Sequence, residues 1–227
     1  MGTSRTTASF RAARAARAAG LSAGALAAAV LAIPTATAQE IGVAAAVNPR
    51  SLLERGATER TLVIRDEIRF EDRVITSEQG LVQVLFVDGS TFTIGAGARV
   101  VIDEFVFDPA TGGGELVADV AEGALRFVGG RLSKGGGEVR FGTEYGTLGV
   151  RGAIVEIDLD PACLADARCP DATAALVFGD ELLLELPDGG VRRIHRQGYA
   201  FTFFGPPGAA SVGVVPLEEL DRSDVRR

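Results

Sequence analysis

"LVQVLFVDGSTFTIG", residues 81–95, is the stretch whose reading decides the fold. Val82, Val84 and Phe86 alternate with other residues at period two, the pattern of a strand with one buried face. Asp88-Gly89 interrupts the alternation, and Phe92 and Ile94 resume it. An Asp-Gly pair between two alternating runs predicts a β-hairpin closed by a type I′ turn, whose two central residues need positive φ. Glycine-rich turns and short apolar alternations recur on both sides of this hairpin.

Upstream, "TLVIRDEIRFEDRVIT" (61–76) puts Leu62 and Ile64 on one face, then Ile68, Phe70 and Val74 after a break. Downstream, "ARVVIDEFVFDPATGGGELVADV" (98–120) carries Val101, Phe105 and Phe107 on one face and Ile102 and Val106 on the other. Apolar groups on both faces predict a strand covered on both sides. "GALRFVGGRLSKGGGEVRFGT" (123–143) adds a strand, a glycine-rich loop around Lys134 and a further strand. Residues 173–215 continue with turns at Gly179-Asp180 and Asp188-Gly189-Gly190; Tyr199, Phe201, Phe203 and Phe204 are expected to fill the core. The fold class predicted is all-β: a short twisted solenoid-like or rolled antiparallel β domain with a β-hairpin C-terminal extension.

"GTEYGTLGVRGAIVEIDL" (142–159) tests whether glycines here hold phosphate. Gly146, Gly149 and Gly152 recur every third residue. Neither a dinucleotide fingerprint nor a Walker loop has this spacing. A strand pattern follows, so there is no helix N-terminus to supply a dipole. The glycines read as structural, Gly149 and Gly152 being expected where a Cβ would clash or force an unfavourable φ. Arg151 is expected to pair with an internal carboxylate such as Asp103 or Glu104.

The first 38 residues stand apart. Arg5, Arg11, Arg14 and Arg17 precede an uncharged run, "AAGLSAGALAAAVLAI", and then Pro34 and Ala36-Thr37-Ala38. This is the layout of a signal peptide cleaved before Gln39, and the run is shorter than the roughly 20 residues a membrane span needs. The whole chain carries 23 basic and 30 acidic residues, a formal charge of −7. Removal of the four arginines would leave it near −11, a balance that argues against nucleic-acid binding. In an oxidising compartment Cys163 and Cys169, in "PACLADARCPD", most simply form a disulfide, free thiols or a metal site being the alternatives.

Four segments in order resemble the FecR domain. Asp72, Val74, Thr76 and Gly80 match its opening. Phe86, Asp88, Gly89 and Ser90 match its hairpin, Arg126, Phe127 and Gly130 its third element, and Thr147, Leu148, Gly149, Val150, Arg151 and Gly152 its closing segment. The resemblance covers roughly residues 60–157. It implies an all-β extracytoplasmic domain that works by protein–protein contact. The chain departs from the name-giving regulators of that family in three ways: no N-terminal anti-sigma region is legible, the apolar segment reads as cleavable, and no clear αβ signalling domain follows.

The organisation expected is therefore a signal peptide (1–38), an N-terminal leader segment (39–59), a FecR-like β domain (60–160), a Cys-containing loop (161–172), a β extension (173–215) and a polar C-terminal tail (216–227). Catalytic signals are weak. His195 is the one histidine, and no G-x-S-x-G elbow occurs after residue 38, the GLSAG at 20–24 lying within the expected signal peptide. Asp103 with Glu104, Asp158 with Asp160, and Glu218 with Glu219 are acid pairs, and Asp158, Asp160 and Asp166 lack EF-hand spacing. The expectation is a non-catalytic periplasmic or secreted binding, scaffolding or signal-sensing module. It would have no cofactor, metal or nucleotide, and its partner would be an unknown envelope protein. The alternative is a small envelope hydrolase using a carboxylate pair.

Overall fold

The structure is a computed structural model and describes residues 40–48, 50–160 and 169–220. The expected signal peptide, Cys163 and with it the Cys163–Cys169 pairing, Asp166 and residues 221–227 lie outside the described residues. All the described residues belong to one unit.

In chain order the strands are β1 (Glu40–Val47), β2 (Leu52–Arg55), β3 (Thr58–Thr61), β4 (Glu67–Arg69), β5 (Arg73–Ile75), β6 (Val82–Phe86), β7 (Thr91–Ile94), β8 (Arg99–Phe107), β9 (Gly114–Glu122) and β10 (Ala124–Val128). A single helical turn, α1 (Arg131–Lys134), precedes β11 (Glu138–Thr143), β12 (Gly146–Arg151), β13 (Ile154–Asp158), β14 (Ala172–Phe178), β15 (Glu181–Glu185), β16 (Val191–Ile194), β17 (Tyr199–Phe204) and β18 (Ser211–Pro216).

The strands form two nine-stranded sheets, ordered β18-β17-β14-β13-β10-β7-β6-β1-β4 and β16-β15-β12-β11-β9-β8-β5-β2-β3. From β6 onward the chain lays a hairpin in one sheet, crosses, and lays the next in the other. The fold is all-β, with one antiparallel sheet and one mixed sheet that do not close into a barrel. One ladder is parallel, β9 with β11. Its cause is β10, a lone strand in the opposite sheet: a hairpin there would return the chain antiparallel, whereas one strand brings it back in its former direction. Residues 39–59 and 173–215, read from sequence as a leader and an extension, contribute strands to the same two sheets; β1 lies between β4 and β6.

The sheets meet through an aromatic seam. Phe86 stacks on Phe105 at 5.3 Å, Phe92 meets Phe127 at 5.9 Å, and both Phe92 and Phe127 pack on Phe141, at 5.7 and 5.3 Å. Phe92, Phe127, Phe141 and Phe201 are fully buried. Burying side chains of this size stabilises by about 1.5–3 kcal/mol each. Phe203 is buried as expected, but Phe204 faces outward.

Two local expectations are corrected. The 87–89 turn is not type I′: Gly89 has φ +83°, while Asp88 is absent from the positive-φ residues. The Gly89 N–H bonds Phe86 O and the Phe86 N–H bonds Ser90 O, which gives a type I turn followed by a left-handed glycine. Nor is β8 covered on both sides. Its register shifts between Ile102 and Glu104, so Asp103 is the extra residue of a β-bulge. Val100 and Ile102 face the core before it, and Phe105 and Phe107 pack against the core after it. Val101 and Val106 are the outward residues, and Val106 is exposed.

Candidate functional site

The motif residues gather in two internal polar nodes. At the first, the Asp88 carboxylate accepts the Ser90 N–H at 2.9 Å, the Ser90 hydroxyl at 2.6 Å and the Leu132 N–H at 3.2 Å. The Ser90 hydroxyl oxygen accepts the Gly130 N–H at 2.9 Å, and Asp88 O accepts the Arg131 N–H at 2.9 Å. Asp88 thus caps α1 from a distant loop, because the residue at the cap position, Gly130, has no side chain to do so. Gly130 is required by space: a Cβ there would lie 2.7 Å from Asp88 O and overlap the Ser90 amide.

At the second node the fully buried Asp72 receives Arg55 Nε at 2.6 Å, Arg55 Nη2 at 2.7 Å and the Arg69 N–H at 2.8 Å. The hydrogen bond to Asp72 raises the Arg55 pKa above its ordinary value, against the opposing effect of burial. Thr76 donates to Gly95 O at 2.5 Å and accepts the Ala98 N–H at 2.8 Å. Gly80 closes a turn on Ser77, its N–H donating to Ser77 O at 2.8 Å. A buried carboxylate with matched donors is stable where an unmatched one would cost several kcal/mol.

The remaining motif residues separate from these nodes. Phe86 and Phe127 belong to the aromatic seam. Arg126 lies on the outer face of its sheet and pairs with Glu156, the residue opposite it on β13. Thr147, Gly149 and Arg151 lie on one face of β12, opposite Glu185, Leu183 and Glu181. Arg151 is exposed and makes no ion pair among the described residues, so neither Asp103 nor Glu104 is its partner; the parity of β12 that buries Leu148 and Val150 turns Arg151 to solvent. Gly152 has φ +57°, which only glycine adopts freely. Gly149 differs: a Cβ there would make ordinary contacts with Leu183 at 3.6 and 3.7 Å, so space does not demand glycine.

One cluster escapes the motifs. Asp103, the bulge residue, stands beside Asp119 of β9 on the outer face, close enough for a hydrogen bond once one of the two carboxyls is protonated, with Glu71 nearby. Burial, the Asp119 hydrogen bond and the charges of Asp119 and Glu71 push its pKa up to about 6. Asp119 was not legible as its partner, because the pairing depends on the bulge. Among the described residues no group of three or more His, Cys, Asp or Glu is arranged to hold a metal ion. His195 is exposed, with Nδ1 3.6 Å from Glu181 Oε1 and no nucleophile bonded to it. Asp160 N donates to Asp158 Oδ1 at 3.0 Å, a local turn contact.

No family model matches the chain, and no curated protein matches it. Among solved structures, two crystal structures of a protein from Parabacteroides distasonis, described as a "putative anti-sigma factor", are similar to it. One has 15% identity and a TM-score of 0.47, the other 14% and 0.45, and each match covers 63% of this chain. The chain spans 59% of the length of those structures.

Proposed function

We propose that the chain is an exported, non-catalytic FecR-like module that acts through protein contacts in the cell envelope. The observation that carries this reading is where the motif's polar residues go. Asp72, Thr76, Asp88 and Ser90 are buried and bonded to backbone, to each other or, for Asp72, to Arg55 as well, so their role is to shape loops. Contacts with other molecules then fall to the sheet edges. Three of the four edge strands carry charged side chains: β3 reads TERT, β4 EIR and β16 VRRI. Such charges block unwanted strand pairing. The fourth, β18, reads SVGVVP, with Val214 exposed, and is the edge suited to accept an added strand. The hydrolase alternative is weaker, because Asp103 and Asp119 are in hydrogen-bond contact, closer than the roughly 5–10 Å that two-carboxylate glycoside hydrolysis uses. A Cys163–Cys169 disulfide belongs to the same exported reading.

The test is capture from envelope extracts with the full-length chain, compared with Val214→Lys at β18 and Val191→Lys at β16. A partner held by the wild type and by Val191→Lys but lost with Val214→Lys supports the reading, as does an N-terminus at Gln39 in the exported protein. Capture indifferent to Val214→Lys sinks strand addition at β18, and an intact Met1 chain in the cytoplasm sinks export.

A further inference from the structure

On the outer face of the β8-containing sheet, acids are matched to arginines strand by strand. Glu54 faces Arg73 at 2.7 Å and Arg99 faces Glu122 at 3.0 Å, both directly opposite pairs. Arg140 holds Glu115 and, at 2.9 Å, Glu138. Three acids depart from this pattern. Asp103, Asp119 and Glu71 stand together, and the arginines on the flanking strands, Arg73 and Arg140, are engaged elsewhere.

Three separate backbone devices converge there. The β8 bulge supplies Asp103 as an extra residue. Glu71 has φ +63°, rare for a residue with a side chain, and its N–H and the Asp72 carbonyl both bond Ile102, next to the bulge. Across the parallel ladder, Gly142 lies in register with Asp119, and a Cβ on Gly142 would overlap the Asp119 carboxylate. Glycine at 142 therefore leaves room for that carboxylate. Strain concentrated around like charges is unfavourable for stability alone.

We propose that Asp103, Asp119 and Glu71, gathered at the β8–β9 bulge over Gly142, form an acid-sensing latch that is closed by a shared proton in mildly acidic surroundings and loosened at neutral pH. In the closed form the carboxylic acid O–H of one aspartate donates to the carboxylate of the other. As pH rises that proton passes to hydroxide, giving water and two facing carboxylates that repel each other and Glu71. The group facing the pair is Glu71 from the β4–β5 turn. Arg73 on β5 and Arg140 on β11 are the nearest cations by strand, each already bound to its own acid.

The sign of the effect follows from the raised acid. The folded state holds a proton that the unfolded chain releases near 3.8, so stability falls as pH rises from about 4 through about 6 and is level above. Asp66, held below its ordinary value by Arg60 and the Val63 N–H against its own burial, changes stability only at lower pH and in the opposite direction.

The experiment is thermal unfolding of the full chain between pH 5 and 7.5, for wild type, Asp103→Asn and Gly142→Ala. An asparagine at 103 donates to Asp119 at every pH and mimics the closed latch. The expected result is a wild-type Tm that drops by about 2–4 °C relative to Asp103→Asn across this window, the part-exposed charges being screened by water. Hydrogen exchange at the 103–104 and 117–119 amides should rise with pH beyond its intrinsic rate in wild type and not in Asp103→Asn. Gly142→Ala, which displaces the Asp119 carboxylate, should flatten the Tm difference as well. If wild type and Asp103→Asn keep a constant difference throughout the window, or if exchange at the bulge follows the intrinsic rate in both, the latch does not exist.

Discussion

Asp88 and Asp103 sit in consecutive hairpins of opposite sheets, and their carboxylates meet opposite surroundings. Asp88 is buried among donors: two backbone N–H groups and a hydroxyl point at it. Asp103 lies part-exposed on an outer face against other acids. A glycine serves each site for a different reason. Gly130 lets one loop press against another backbone, and Gly142 leaves room for a side chain that could swing away. Burial by itself thus says little about whether a carboxylate stabilises this fold. The number of donors it faces decides that.

The sharpest way to break this contrast is Asp88→Ala. It strands the Ser90 and Leu132 N–H groups and the Ser90 hydroxyl in the interior, and should destabilise by about 2–4 kcal/mol. Chemical denaturation measures this; a loss under about 1 kcal/mol would mean that water replaces the carboxylate. Next come the two glycines. Gly130→Ala forces a methyl against backbone atoms that cannot move independently and should cost about 1–3 kcal/mol. Gly142→Ala meets only the end of an exposed side chain and should cost less than about 1 kcal/mol. Equal losses in the two variants would erase the distinction between them. Glu71→Gln is the smallest change: the bulge and the Asp103–Asp119 hydrogen bond stay, and only a neighbouring charge goes. The pH dependence of Tm should shrink but persist, and a complete loss would make Glu71 the proton-binding group in place of the aspartate pair.

The β6–β7 hairpin was legible from Val82, Val84, Phe86, Phe92 and Ile94, because period-two alternation is a local property of one strand. Residues 98–107 show where locality ends. A single inserted residue inverts the parity, and a strand with a bulge then reads as one buried on both faces. The type of the Asp88-Gly89 turn is not a local property, because its aspartate answers to a distant partner, the amides of α1, and not to hairpin twist alone. The same limit applies at Gly149 and Gly152, which look alike in sequence and differ in φ and in the space around them. Arg151 looked internal because its neighbours are apolar, yet strand parity sends it outward. The motif positions carried the two polar nodes; Arg55, which completes one, and Asp119, which completes the acid cluster, have no local signature, since each is brought in by another strand.

The order of strands in both sheets follows chain order from one end to the other, with only β1 and β4, and β2 and β3, out of sequence at the start. Each later hairpin therefore docks on surfaces laid down by earlier residues. A chain that emerges N-terminus first can zip up behind its own exit, strand upon strand, without waiting for its last residues. The aromatic seam from Phe86 to Phe141 is complete once β11 has formed, well before β18 arrives. Assembly in this direction leaves β18, the uncharged edge strand among the described residues, until last, so that edge is absent while the rest of the chain is being laid down.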